Sequence, residues 1–363
     1  MMKKILCVID SLGSGGAQRQ MVGLATLLKE KGYNVKVLIY HNSLFYADVL
    51  KESNVSFDII DDNGSSINRI KKITQYIHKD KPDVVISYLD TPNICTCLSK
   101  LRNRRSRLFV SERSYSTTTG KKEIIRFNLY RFADKVVPNS YSQSEYIKKT
   151  FGFLAKKVIA IPNFVDLEYF SPISKKGRND VPEILIVGTI YKVKNTLALI
   201  KTVAGLKEEG YKFHVSWYGK SNEFKFFFEY VDHCQQEIQR LGVEDYIELK
   251  EKTTQIRDFY QTADYFCLPS LFEGTPNVIC EAMACGLPVL CSNVCDNPQY
   301  VFEGENGFLF DPHDVQSMTN AFKKAFSLDN NQYESFCVTS RRLAVEKLSK
   351  DRFISDYIKL IEE

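Results

Sequence analysis

The chain contains no apolar run approaching the roughly eighteen residues that would cross a bilayer as a helix. Its opening apolar stretch, after lysines 3 and 4, stops at Asp10, too short for the hydrophobic segment of a secretion signal. A cytoplasmic protein is expected. Ten cysteines are present, but most fall inside strand-like and helix-like segments, where a free thiol behaves as a small hydrophobe, so no disulfide framework is read. Cys291 and Cys295 lack the Cys-x-x-Cys partner or neighbouring histidine that would complete a zinc site, and no metal is expected. The sequence also lacks an Asp-x-Asp motif, a solenoid-length repeat, any low-complexity tract beyond the threonines at 117–119, and every recognisable nucleic-acid-binding module.

What is present points to a two-domain α/β enzyme. A length of 363 residues exceeds what one core usually holds, and a hydrophobic content of 44% argues against extended disorder. The pattern is strand and helix in alternation. KKILCVID reads as a strand, SLGSGG as a turn, AQRQMVGLATLLKEKG as a helix and NVKVLIY as a strand. Helices at 67–78, 91–101, 123–132 and 142–151 then alternate with the strands DVVISYL, RLFVSE and DKVVPN and lead into KVIAIPN. Periodicity fails between Pro162 and Pro182, with SPISKKGRNDVP the clearest linker, and alternation restarts at EILIVGTI. Repeated strand-helix-strand units imply doubly wound parallel sheets. The expected division is a domain at 1–170, a second at 171–348 and an amphipathic terminal helix at 349–363.

The most informative stretch is EGTPNVICE at 273–281, running into AMACGLPVL. Proline at a first helical position is pre-organised, so Pro276 is expected to open a helix. The amides of Gly274, Thr275, Pro276's successor Asn277 and Val278 would then meet an anion, for which a diphosphate is suitable. Glu281 follows Asn277 by four residues and shares its helical face, while Glu273 precedes the helix, so two carboxylates flank its open end. The apolar run at 265–268 delivers Ser270 and this loop to the carboxyl end of a strand, where open α/β sheets bind ligands. The glycine turn after the first strand offers the amides of Gly15 and Gly16. It is not G-x-G-x-x-G, and the second strand ends in His41 and Asn42, without the acid that would hold a dinucleotide ribose. Residues 100–157 hold fifteen Lys or Arg against four Asp or Glu, a footprint for a polyanion or an anionic membrane surface.

The block from Ala263 through CGLPVLCSN resembles the donor-site signature of the retaining GT-B glycosyltransferases of family 4, the glycosyl transferases group 1. GSGGAQR is similar to that family's GGAER-type turn, and IPNFVD at 161–166 to its IPNGVD segment. VGTIYKVKN at 187–195 corresponds to G-R-L-x-x-x-K-N: Gly188, Lys194 and Asn195 match, whereas Thr189 stands where the family has arginine. Lys192 is a candidate replacement for that lost charge. The family commonly has a histidine after the strand corresponding to RLFVSE; this chain has Glu112 and Arg113 there. Arg113 holding a phosphate, Glu112 deprotonating the acceptor and a structural role for both stay open.

The resemblance covers nearly the whole chain. It implies a GT-B architecture with an interdomain cleft and a metal-independent, retaining transfer from a nucleoside diphosphate sugar, with a UDP-linked donor expected. Glu281 would hold ribose hydroxyls, Lys194 and the 274–278 amides the diphosphate, and Glu273 the sugar. The terminal helix would cross back to the first domain. The acceptor implied is lipid-diphosphate-linked or a growing surface glycan at the inner membrane face, in capsule, O-antigen or exopolysaccharide synthesis. A catalytically silent partner subunit, or an epimerase or phosphorylase on the same fold, are the alternatives.

Overall fold

The near-continuous apolar runs KILCV, VVISY, EILIV and YFCL suit strands covered on both faces, and each is such a strand in the computed structural model of the chain. The structure describes residues 2–113, 119–173, 177–220 and 225–363. Threonines 117 and 118 of the tract and residues 174–176 of the expected linker lie outside the described residues.

The first sheet contains β1 (Lys4–Val8), β2 (Asn34–Ile39), β3 (Ser56–Ile59), β4 (Val84–Tyr88), β5 (Arg107–Ser111) and β6 (Lys135–Val136), in the order β3-β2-β1-β4-β5-β6. The second contains β7 (Glu183–Val187), β8 (His214–Lys220), β9 (Ile247–Glu251), β10 (Tyr265–Leu268), β11 (Val289–Ser292) and β12 (Gly307–Phe310), in the order β12-β11-β10-β7-β8-β9. Every pairing is parallel. In both sheets the chain winds outward from the first strand, returns, and winds the other way. The neighbours at which order reverses are β1 and β4 in one sheet, β7 and β10 in the other.

Two compact units result, Met1–Phe164 with Lys350–Glu363, and Val165–Ser349. In the first, side chains of β1 alternate between two cores: Ile5 and Cys7 face one, Leu6 and Val8 the other. Phe353, Tyr357, Leu360 and Ile361 of the last helix, Lys350–Glu362, complete the first of these cores. The Tyr357 hydroxyl lies 2.8 Å from that of Tyr88, and Lys3 pairs with Glu362 at 2.8 Å. Where the chain enters and leaves the second unit, Val165 N donates to Leu348 O at 2.9 Å.

Several elements depart from the sequence reading. The helix Ala47–Glu52 and strand β3 were not expected; SFDI is an edge strand with little burial, so it lacks the apolar run that marks its neighbours. KVIAIPN forms only an isolated bridge from Val158 to Val136. Pro276 sits one residue ahead of the helix Asn277–Ala284, its carbonyl accepting the first helical bond from Cys280 N at 3.1 Å. It is therefore the cap and not the first helical residue.

The second sheet is tightest where β7 and β8 end. Gly188 has φ +149°, and Gly188 N donates to Tyr218 O at 3.0 Å. A Cβ on Gly219 would stand 1.8 Å from Gly188 O, a contact that only backbone displacement relieves. Gly219→Ala is therefore expected to lower stability by about 1–3 kcal/mol, read as a lower urea midpoint at unchanged m-value.

Candidate active site

The loops after β7 and β10 meet at the reversal point of the second sheet, the crevice where such sheets take ligands. Leu271 N donates to Val193 O at 2.8 Å, joining them. Lys194 leaves a short turn of 3-10 helix, Lys192–Lys194, and its Nζ lies 2.5 Å from Glu273 Oε1. Ser270 Oγ donates to the same oxygen at 2.5 Å. The Lys194 and Glu273 side chains are only 20% and 13% exposed, so their attraction is weakly screened. Two donors on Oε1 fix the carboxylate plane and leave Oε2 without a hydrogen-bond partner among the described residues.

The supports are local. Trp217 Nε1 donates to Gly188 O at 2.9 Å, and the aliphatic part of Lys194 passes over Gly188, where a Cβ would lie 3.5 Å from Cε. Asn195, left-handed at φ +60°, donates from its side chain to Pro312 O at 2.7 Å; asparagine tolerates that conformation. Ser292 Oγ donates to Ser270 O at 2.6 Å, and Glu273 N donates to Cys295 Sγ at 3.5 Å. Ser292, Cys295 and Trp217 carried no signal in the sequence, because each supports the loop from a different strand or turn. All ten cysteines are free, and no cluster of three or more His, Cys, Asp or Glu suited to a metal occurs among the described residues.

Glu281 is buried on the 277–284 helix, with Tyr260 OH donating to its Oε2 at 3.3 Å. Asn277 N is taken by Thr275 O at 2.9 Å. Because helical bonding begins only at Cys280, the open end of the helix is left to the amides before it. Lys192 is exposed and its ammonium has no ion-pair partner among the described residues; Thr189 beside it is partly buried. The Lys194 charge is thus balanced by Glu273, whereas Lys192 has no ion pair among the described residues.

Gly15 and Gly16 belong to the other unit. Gly15 caps the helix Gly16–Glu30, and the Gln18 side chain lies against it, with its Nε2 donating to Asp10 Oδ1 at 2.9 Å. The reversal point of this first sheet is lined by Asp10 after β1 and Leu89–Asp90 after β4. Leu89 has φ +76° and ψ 157°, a conformation that costs a residue with a side chain on the order of 1–3 kcal/mol.

The contacts of Glu112 and Arg113 bear on the three alternatives that the sequence leaves open. Glu112 is fully buried; its carboxylate accepts from Tyr130 OH and lies 3.5 Å from Arg126, which also pairs with Asp90. A carboxylate so enclosed does not reach an acceptor. Arg113 stacks over Tyr88, 3.6 Å from the ring centroid, and donates to Asn163 Oδ1 at 2.6 Å and Tyr357 OH at 3.3 Å. It ties the IPN segment and the last helix to the sheet, so the third alternative, a structural role for both, is the one the contacts favour.

The basic stretch is likewise not one face. Arg102, Arg104 and Arg105 are exposed ahead of the amino end of β5, whereas Lys121 and Lys122 are exposed on the helix that follows its carboxyl end. Several other cations are already committed: Arg126 to Asp90 and Glu112, Lys100 to Asp134, Lys135 to Glu363, and Arg107 to Ile361 O.

Burial pushes the Glu112 carboxyl from 4.5 up to about 7, with Arg126 pulling the other way and Asp90 adding to the rise. A carboxyl whose folded value is raised contributes stability that is complete below the unfolded value and is lost as pH rises through the folded one. Between pH 4.5 and 7 the protein should lose on the order of 3 kcal/mol from this group. Glu112→Gln should flatten that slope, as measured by urea unfolding at pH 5 and pH 7.5.

Comparison with known proteins follows this division. Residues 14–169 match the model described as Glycosyltransferase Family 4, and residues 181–327 the model described as Glycosyl transferases group 1. The chain is 26% identical to the N-acetylgalactosamine-N,N'-diacetylbacillosaminyl-diphospho-undecaprenol 4-alpha-N-acetylgalactosaminyltransferase of Campylobacter jejuni, over 89% of this chain and 90% of that one. It is 24% identical to a second Campylobacter jejuni enzyme, the GalNAc-alpha-(1->4)-GalNAc-alpha-(1->3)-diNAcBac-PP-undecaprenol alpha-1,4-N-acetyl-D-galactosaminyltransferase, over 100% and 99%. Among solved structures, Anabaena HepE in complex with UDP superposes with a TM-score of 0.85 at 18% identity, covering 99% of both chains. With the two family models matched in order across its two units, and two such sheets in its fold, the chain belongs to the family 4, group 1 glycosyltransferases and is a glycosyltransferase of GT-B architecture.

Proposed function

We propose that this glycosyltransferase moves a sugar, with retention, from a UDP-sugar to a lipid-diphosphate-linked glycan acceptor in bacterial surface-glycan assembly. The observation that carries the donor half is the convergence of Lys194, Glu273 and Ser270 at the reversal point of the second sheet. UDP in the HepE complex and the diphospho-undecaprenol acceptors in the names of the two Campylobacter relatives support the choice of donor and acceptor.

In this reading the diphosphate lies before the 277–284 helix, against the amides of Gly274, Thr275 and Val278, and draws Lys194 into a shared contact with Glu273 and phosphate. Lys192 supplies the charge absent at Thr189. Charge that develops on the departing diphosphate is stabilised by donors already in place, which costs no reorganisation during the reaction. Glu273 Oε2 accepts from a sugar hydroxyl, its partner oxygen being held by Lys194 and Ser270. Glu281 accepts from the ribose hydroxyls. The bond from the anomeric carbon to the β-phosphate breaks as the acceptor oxygen bonds to the same face of that carbon, and the acceptor proton passes to the departing phosphate. Neither Glu112 nor Arg113 takes part. The first unit carries the acceptor, and the enzyme works peripherally at the cytoplasmic face of the membrane.

Removing the ribose contact tests the donor site. Glu281→Ala should weaken UDP binding by about 1.5–3 kcal/mol, the range for hydrogen bonds to a charged group, as read by titration calorimetry; unchanged affinity in the folded variant would take Glu281 out of the site. Since lysines and a helix end are assigned the neutralising work that a divalent ion does in other transferases, transfer should persist in excess EDTA. A strict requirement for Mg²⁺ or Mn²⁺ would contradict that assignment.

A further inference from the structure

Resting on the assignment of Glu273 to the donor sugar, we infer that Cys295 is a positioning residue for transfer, whose sulfur fixes the backbone that carries the Glu273 carboxylate. Two independent observations meet at this residue. Its backbone is left-handed, at φ +49°, and its Sγ accepts from Glu273 N at 3.5 Å.

A left-handed conformation is costly for a residue with a Cβ, and glycine and asparagine take it most readily. Asn54, Asn63 and Asn195 of this chain do so. Neither residue type stands at 295. Glycine would offer no acceptor there, and a serine oxygen, on a shorter bond and with a smaller radius, would fall short of the amide that sulfur reaches. The cysteine keeps its strain together with that one acceptor, and strain that persists beside a site points to function. The turn that presents it is anchored. Ser292 and Asn297 are fully buried; Asn297 Nδ2 donates to Ser292 O at 2.8 Å, and Ser292 Oγ to Ser270 O at 2.6 Å.

The loop that this turn steadies has no regular structure between Leu268, where β10 ends, and Asn277, where the helix begins. Among the described residues, Glu273 N has no acceptor besides the Cys295 sulfur. The carboxylate end is tied by Lys194 and Ser270. In the donor complex proposed above the phosphate shares Lys194, which loosens that tie, whereas nothing in the donor competes for the bond from amide to sulfur. The sulfur therefore keeps Oε2 in place for a sugar hydroxyl while the charge around Oε1 is redistributed. A shift of about 1 Å in a substrate-positioning group can cost about a hundredfold in rate.

Calorimetry of the full chain with UDP, UDP-glucose and UDP-N-acetylgalactosamine, on the wild type and on Cys295→Gly, Cys295→Ala and Glu273→Ala, tests the role. Both cysteine variants should bind UDP as the wild type does. Their gain in affinity from UDP to the better UDP-sugar should fall about threefold, within the range of one hydrogen bond, and the Glu273 amide should exchange its hydrogen faster. Urea unfolding separates this from packing: Cys295→Gly, relieved of the left-handed strain, should have a higher midpoint than Cys295→Ala yet lose the same sugar increment. An unchanged increment in the two variants overturns the proposal, as does an equal loss of UDP and UDP-sugar affinity. An unaltered exchange rate at Glu273, or a glycine variant less stable than the alanine one, also overturns it. Failure of the donor reading shows separately: a wild type that binds no UDP, or a Glu273→Ala variant that keeps the wild-type increment, removes the premise and the sulfur's role with it.

Discussion

The arrangement of the second unit depends on one topological fact, the reversal of strand order between β7 and β10. Elsewhere in the sheet each loop leads to a helix that packs beside the next strand. At the reversal the helices diverge and leave a crevice, so the two loops must satisfy their polar groups against each other. They do so through Leu271 N on Val193 O and through Lys194 on Glu273. The rest follows from holding that junction: a glycine at 188 with positive φ, a glycine at 219 where no Cβ fits, the indole of Trp217 on Gly188 O, and the Ser292 hydroxyl beneath Ser270.

The two units handle buried charge differently. Near the second crevice a lysine and a glutamate are paired with part of each side chain still open to solvent. In the first unit, Glu112 sits beneath Arg126, which bridges outward to the half-exposed Asp90. That chain runs from a carboxyl that burial drives toward neutrality to one that faces water. A guanidinium shared by two carboxyls fixes both, which explains why a glutamate immediately after a strand end is structural here.

What the sequence made legible was local. Proline, the two glutamates and the small residues of 273–281 stand within one loop and helix turn, and the apolar runs of the parallel strands need no knowledge of their neighbours. The Lys194–Glu273 pair spans 79 positions and emerges only once the sheet order is known. The alternatives for Glu112 and Arg113 stayed open for the same reason: their partners Tyr130, Arg126, Asn163 and Tyr357 come from other elements. β3 escaped notice because an edge strand buries too little to need an apolar run. Counting charge over 100–157 merged two ends of a strand into one face, since a count carries no direction.

The return of the last helix to the first unit sets an order of events during synthesis. Residues 165–349 are continuous, so that unit can close while the chain is still being made. The earlier residues cannot: a core that includes Tyr88 and Phe164 waits for Phe353 and Tyr357. On a ribosome the first sheet therefore stands unfinished, its apolar surface uncovered, until the final fourteen residues have emerged, and the part made first is the part completed last. A chain that stopped before residue 350 would leave the apolar faces packed by Phe353, Tyr357, Leu360 and Ile361 open to water, a surface prone to aggregation.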